Sequence, residues 1–268
     1  MKKTLSILLA LAMLLTGTAA FAEGTLRVGM ECAYAPYNWT QAEPSEYTVP
    51  IEGGAGYADG YDVQIAKAIA DGLGKELVIV KTEWDGLPPS VTSGVIDAII
   101  AGMSPTQERK ATLDFTDAYY LVDMVVVVQK DGAFANATSL ADFSGAAITA
   151  QLNTTHYDVI DQIPDVNKLP AMDTFPAMIV ALRSGAIDGY IAERPGALAD
   201  TAANPELTFI AFEADNGFDV SLEDTLISIG LNKGSDLVDP INAVLAGITQ
   251  DARDQLMSDA ISRQPLAQ

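Results

Sequence analysis

One arginine stands where a loop leaves a buried strand, in the stretch from Trp84 to Arg109, WDGLPPSVTSGVIDAIIAGMSPTQER. The apolar run Val95 to Ala101, flanked by Gly94 and Gly102, reads as a strand covered on both faces. Arg109 follows the loop Gly102-Met103-Ser104-Pro105-Thr106. Ligands of open α/β sheets sit beyond the carboxyl ends of such strands, so Arg109 is a candidate anion clamp. The phrase returns later in the chain: SGVIDAIIAG, from Ser93 to Gly102, is echoed by SGAIDGYIAE, from Ser184 to Glu193. Gly94 and Gly185 lie 91 residues apart, and Trp84 and Phe175 each stand ten before their glycine. The first copy leads to a fixed positive charge, Arg109, and the second ends in a carboxylate, Glu193. Two facing lobes built on these copies would offer a cation to one end of a ligand and an anion to the other, which matches a free amino acid. The bland alternative is a recurrent helix-strand pattern with no shared site.

Other chemistry is scarce. With one His and one Cys, the chain has no spaced His/Cys/Asp cluster for zinc, no G-x-S-x-G, and no glycine-rich loop followed by Lys and Ser or Thr. No catalytic residue, metal site or cofactor is expected. Gly53-Gly54-Ala55-Gly56 is a turn-rich loop. Asp97 and Asp188, though echoed, read as structural residues inside strands, and His156 as a surface residue at a helix start.

The elements that would position these groups alternate between strand and helix. Thr25 to Met30 reads as a strand leading into the aromatic loop Glu31-Cys32-Ala33-Tyr34-Ala35-Pro36-Tyr37, and residues 38–60 as an irregular excursion. Asp62 to Ala70 carries apolar residues at helical spacing, and Gly72 or Gly74 ends that helix. Leu77 to Val80 is the second strand, and Met124 to Gln129 carries the chain into a second lobe. There Ala147 to Gln151 is a strand, and Asn153-Thr154-Thr155 opens a helix. Its free N–H groups suit a ligand carboxylate, and simple capping is the commoner use of Thr at such a place. A helix from Pro176 to Arg183, the echo strand, and a strand from Leu207 to Phe212 follow. Thr225 to Leu231 returns to the first lobe, and Pro240 to Ile261 is a closing helical region with Pro240 near a helix start. Such alternation implies parallel or mixed sheets, and crossings near 119–124 and 213–224 imply a two-stranded hinge. The expected fold is therefore two-lobed α/β, with residues 23–120 and 222–268 in lobe one and 121–221 in lobe two.

Composition constrains compartment and partners. Met1-Lys2-Lys3, the apolar run Leu5 to Leu15, and Ala20-Phe21-Ala22 are the parts of a secretory signal peptide cleaved near Ala22. No later stretch is apolar enough, for long enough, to span a bilayer. A formal net charge of −21 argues against nucleic acid and anionic membrane surfaces as partners. The single Cys32 allows no internal disulfide, so stability must come from a core, and 49% hydrophobic composition suffices for two small domains.

Four segments in order, GYDVQIAKAIA, EWDGLPPSVTSGVIDAIIAGMSPTQERKATLDFTDAYY, AQLNTTHYD and SGAIDGYIAERPGAL, resemble the extracellular solute-binding proteins of family 3, the polar amino acid receptors of ABC importers. The resemblance covers nearly the whole mature chain and implies a periplasmic-binding-protein-like (type II) fold. It implies that Arg109 pairs with a ligand α-carboxylate, that Gly102 and Ser104 meet the ligand's polar ends, and that Glu193, where Asp is commoner, holds the α-ammonium. It further assigns Tyr34 and Trp84 to sandwich the side chain, Glu31 to reach its far end, and Thr154 and Thr155 to the second-lobe helix start. The implied partners are a free L-amino acid, tilting toward a cationic one, and permease transmembrane subunits with a separate ATPase. A monomer in the periplasm or at the cell surface is expected. Two departures stand out: Asn153 occupies a position usually held by Gly, and the excursion from Gln41 to Asp59 is long. The same resemblance leaves two rivals: a periplasmic cyclohexadienyl or arogenate dehydratase using Glu31 or Glu193 as its acid, and a ligand-sensing receptor.

Overall fold

A computed structural model of the chain describes residues 24–213 and 216–265. The expected signal peptide lies outside the described residues. Two five-stranded sheets, one per lobe, share the same local plan. In lobe one the order is Glu76–Lys81, Thr25–Met30, Ala98–Ile99, Leu226–Asn232, Leu113–Leu121, with the first three parallel and Leu226–Asn232 antiparallel to both its neighbours. In lobe two it is Asn167–Lys168, Ala147–Thr149, Gly189–Glu193, Met124–Gln129, Leu207–Ile210, again with three parallel strands and an antiparallel fourth. In each lobe that fourth strand belongs to a segment arriving from the other lobe, so the mixed sheets follow directly from the two crossings.

The crossings lie side by side. Leu121 pairs with Leu226, and Val122 N–H donates to Thr225 O at 2.9 Å. Among the described residues, no helix is long and apolar enough to cross a membrane.

Local chemistry explains the main helix. Tyr61–Leu73 buries Tyr61, Val63, Ile65, Ala66, Ile69 and Ala70, and burial of each larger apolar side chain contributes about 1.5–3 kcal/mol. It ends at Gly74, whose left-handed φ of 64° lets its N–H turn back onto the last carbonyls. The closing helical region divides into Val238–Ala246 and Gln250–Arg263, the second begun by the Thr249 side chain accepting from Ala252 N–H.

Two expectations are corrected. The excursion is not irregular: Ala33–Tyr34, Asn38–Gln41, Tyr57–Asp59 and Val49–Pro50 form a small antiparallel sheet. Strands of two to four residues are too short to display alternation in a sequence. Ile51 then bridges to Ile79 in parallel, so the excursion covers the exposed edge of the lobe-one sheet. The buried run also yields only Ala98–Ile99 as ladder. Gly94, at φ 77°, makes a turn, Val95 is exposed, and Asp97 closes a ring with Arg27 before the ladder starts.

Candidate functional site

Five segments converge between the lobes. The aromatic loop after Thr25–Met30, the turn at Trp84 and the loop after Ala98–Ile99 come from lobe one; the Gln151–His156 turn and the end of Gly189–Glu193 come from lobe two. A buried polar network fixes the lobe-one side. Asp62 accepts from Tyr119 OH at 2.7 Å and from Asn38 Nδ2 at 2.9 Å; Asn38 Oδ1 accepts from Cys32 N–H at 2.7 Å; Tyr119 OH accepts from Gly102 N–H at 3.3 Å. One carboxylate thus ties the aromatic loop to the Gly102 loop. Gly102 has φ 63°, and a Cβ there would lie 3.1 Å from the Tyr34 ring, so the close approach of loop and ring requires glycine.

The cleft is lined by residues of both lobes, among them Tyr34, Trp84, Gly102, Ser104, Arg109, Thr154, Thr155 and Glu193, which are eight of the nine positions singled out from sequence. Glu31 is the ninth and lies behind the lining. It is 5% exposed and accepts from Gln151 Nε2 across the lobes at 3.0 Å, and it is Gln151 that faces the cleft. Burial pushes the Glu31 carboxyl up to about 7, against the Gln151 bond and aided by Glu83 and Asp85 nearby.

Arg109 forms the positive pole. Its guanidinium lies over the Trp84 ring, 5.1 Å from the centroid, and donates from Nη1 to Ser104 O at 2.9 Å and from Nη2 to Asn153 O of the other lobe at 3.0 Å. Burial lowers its pKa to about 10, which leaves it charged at neutral pH. Glu193 faces it from the other side of the cleft. It is 3% exposed, accepts from Tyr34 OH, and is pushed up to about 8 by burial. The Tyr34 ring stacks between Tyr37 and Phe175, with centroids at 4.9 and 4.3 Å. A lobe-one phenol therefore already touches the lobe-two carboxylate, and the space left between the poles is narrow.

His156 is corrected from surface to interior. It is 8% exposed, lines the cleft, and meets Phe175 edge-on. Its Nε2 is 3.1 Å from Glu193 Oε1 without the orientation of a hydrogen bond, and neither ring nitrogen has a hydrogen-bond partner among the described residues. Burial, then the Arg109 charge, lowers it to about 4, so at neutral pH the contact joins an uncharged imidazole to a carboxyl group whose own pKa is raised; it is not an ion pair. Thr154 sits at the helix N-cap position, but its hydroxyl donates to Gln151 O at 2.7 Å and the helix has no side-chain cap. Capping, the commoner use of Thr at a helix start, is not how Thr154 is employed.

Sequence reasoning also passed over Gln151, Met124 and Phe175 as lining residues. Phe175 had a signal, since it holds the repeat position of Trp84. Met124 and Gln151 had none, because nothing local shows which strand residues turn toward the facing lobe. Asp97 and Asp188 lie one residue before their ladders, not inside them, and do structural work: Asp97 Oδ2 accepts from Arg27 N–H, and Asp188 Oδ2 from Ala147 N–H, each at 2.8 Å. Among the described residues, no group of three or more His, Cys, Asp or Glu could hold a metal ion.

Known proteins share this arrangement of chain. The family described as bacterial extracellular solute-binding proteins, family 3, matches residues 26–259. A probable histidine-binding protein of Campylobacter jejuni is 32% identical over 218 residues, 79% of this chain and 78% of that protein. ABC transporter arginine-binding protein 1 of Escherichia coli is 30% identical, over 75% of this chain and 80% of its own. A crystal structure of an amino acid ABC transporter substrate-binding protein from Streptococcus pneumoniae, bound to L-arginine, superposes with TM-score 0.76 at 26% identity, covering 89% of this chain and 94% of that one. With its fold, its cleft and these likenesses in agreement, the chain belongs to the bacterial extracellular solute-binding proteins of family 3.

Proposed function

We propose that the protein captures a free L-amino acid between its lobes and delivers it to the membrane permease of an ABC importer driven by a separate ATPase. The observation that carries this reading is that Arg109 of lobe one and Glu193 of lobe two line a single cleft. A zwitterion bridging them holds its carboxylate on the guanidinium fork and its ammonium on the glutamate, displacing the Tyr34 hydroxyl from Glu193. Since such a ligand contacts both lobes only when they are closed, it favours closure. Ser104, Gly102, Thr154 and Thr155 complete the polar shell, and Tyr34, Phe175 and Trp84 supply flat apolar walls.

The side chain of the ligand is proposed to be cationic. Glu83 and Asp85 flank Trp84 in the chain and lie near the buried Glu31, and with Asp173 they line a depression adjoining Trp84. Relatives named for histidine and arginine lend support. On this reading the protein acts by binding alone, as an exported monomer. A thermal-shift screen of the twenty amino acids against the purified mature chain tests it: a basic amino acid should raise the melting temperature most. No response to any amino acid, or turnover of a cyclic amino acid precursor, would overturn it.

A further inference from the structure

Three bonds from lobe one meet on one residue of lobe two. Asn153 O accepts from Arg109 Nη2 at 3.0 Å and from Trp84 Nε1 at 3.4 Å, and Asn153 Nδ2 donates to Asp85 Oδ1 at 2.8 Å. The backbone of Asn153 is left-handed, φ 55°, a region Asn enters at lower cost than other residues with a side chain. Gly would take the same backbone and present the same carbonyl. What Asn adds is the amide that reaches Asp85, and Asp85 is placed to receive it because it follows Trp84 in the turn that faces the mouth.

We propose that Asn153 and Asp85 form a clasp between the lobes, making Asn153 a positioning residue that sets how firmly the cleft holds its ligand. It rests on the binding reading above only for its effect on affinity; the clasp itself requires no ligand. An amide–carboxylate bond made only in the closed state raises the closed fraction of the free protein. Apparent affinity rises with the fraction of molecules already competent to bind, so the clasp tightens binding without touching the ligand. Both residues are exposed at the mouth, which keeps the effect moderate and leaves the Arg109 and Trp84 bonds to the main-chain carbonyl in place.

The test compares the full mature chain with Asn153→Gly, Asn153→Asp and the exchanged pair Asn153→Asp with Asp85→Asn, all checked for folding by circular dichroism. Small-angle X-ray scattering of the ligand-free proteins reads closure directly. Asn153→Gly should raise the radius of gyration, and Asn153→Asp, which sets two carboxylates against each other, should raise it further. The exchanged pair should return it toward wild type, because the amide and carboxylate have only traded places. With L-arginine as the probe, affinity should fall about threefold in Asn153→Gly and about tenfold in Asn153→Asp, through faster release, and recover in the exchanged pair. Unchanged scattering in Asn153→Asp, or no recovery in the exchanged pair, overturns the clasp. The scattering pattern as described with no L-arginine binding in any variant leaves the clasp standing and counts against the ligand reading instead.

Discussion

The two lobes are copies in their scaffold and opposites in their site. Gly94 and Gly185 adopt φ of 77° and 75°, and Asp97 and Asp188 each take a main-chain N–H of the strand paired in parallel with the one they precede, at the same 2.8 Å. Beyond the strands, the copies part. Lobe one continues from Ile99 through Gly102 and Ser104 to Arg109, whereas lobe two stops at Glu193 and enters the helix Arg194–Ala203 at once. The aromatic at the start of the unit diverges too: Trp84 is half-buried under the Arg109 guanidinium, while Phe175 is buried against Tyr34. The shared part is scaffold, and on the proposed reading ligand choice depends on the part that changed. On the same reading, one repeated unit supplies both ends of the ligand with a partner.

The largest way to break that comparison is to remove one pole at a time. Arg109→Ala deletes a charge-assisted, two-pronged partner for a carboxylate and should weaken amino acid binding at least about a hundredfold by calorimetry. Glu193→Gln, which keeps shape and loses charge, should cost about tenfold or more. Equal, small losses from both substitutions would mean the poles do not hold the ligand.

The poles should also differ in their response to pH. Arg109, lowered to about 10, stays charged, while Glu193, raised to about 8 by burial, is protonated in the free closed cleft at neutral pH. An ammonium stabilises the ionised carboxylate, so binding should release a proton at pH 7, and affinity should rise as pH climbs toward about 8. Calorimetry in two buffers of different ionisation enthalpy measures that proton, and Glu193→Gln should abolish it. For the free protein the sign is reversed. A carboxyl whose folded pKa exceeds its unfolded value near 4.3 contributes stability below that value and loses it as pH rises through the folded one. Glu193 at about 8, Asp200 and Glu31 at about 7 and Asp62 at about 6 all lie in this direction. Together they should lower the ligand-free melting temperature between pH 5 and pH 8, and less so in Glu193→Gln.

The smallest effect tests what the lobes share. Asp97→Ala and Asp188→Ala should each cost about 1 kcal/mol, or about 2–4 °C in melting temperature, with ligand affinity unchanged. A loss of binding from either would place the aspartate in the site and not in the scaffold.

Much of this was legible in the chain. The strand and helix order follows from periodicity and glycine placement, and the repeat exposed Arg109 and Glu193 as unlike endings of like units. What escaped was decided by contacts distant in sequence. His156 reads as a polar helix start, yet the fold of lobe two sets Phe175 and Glu193 against it and Arg109 faces it from lobe one. Glu31 reads as an acid in the aromatic loop that reaches the ligand's far end, yet Gln151, 120 residues on, occupies it. The Asn38–Asp62–Tyr119 network that holds the Gly102 loop draws on three elements with no common motif.

The central claim is that a zwitterion is held at both ends, and the ligand can be cut as readily as the protein. Calorimetry of the amino acid that binds, beside its decarboxylated and its deaminated analogues, with wild type, Arg109→Ala and Glu193→Gln, measures each end separately. Wild type should bind both analogues at least about a hundredfold more weakly than the intact amino acid. The decarboxylated analogue should lose nothing further in Arg109→Ala, nor the deaminated one in Glu193→Gln. Analogues that bind wild type as tightly as the parent, or losses that simply multiply, would contradict it.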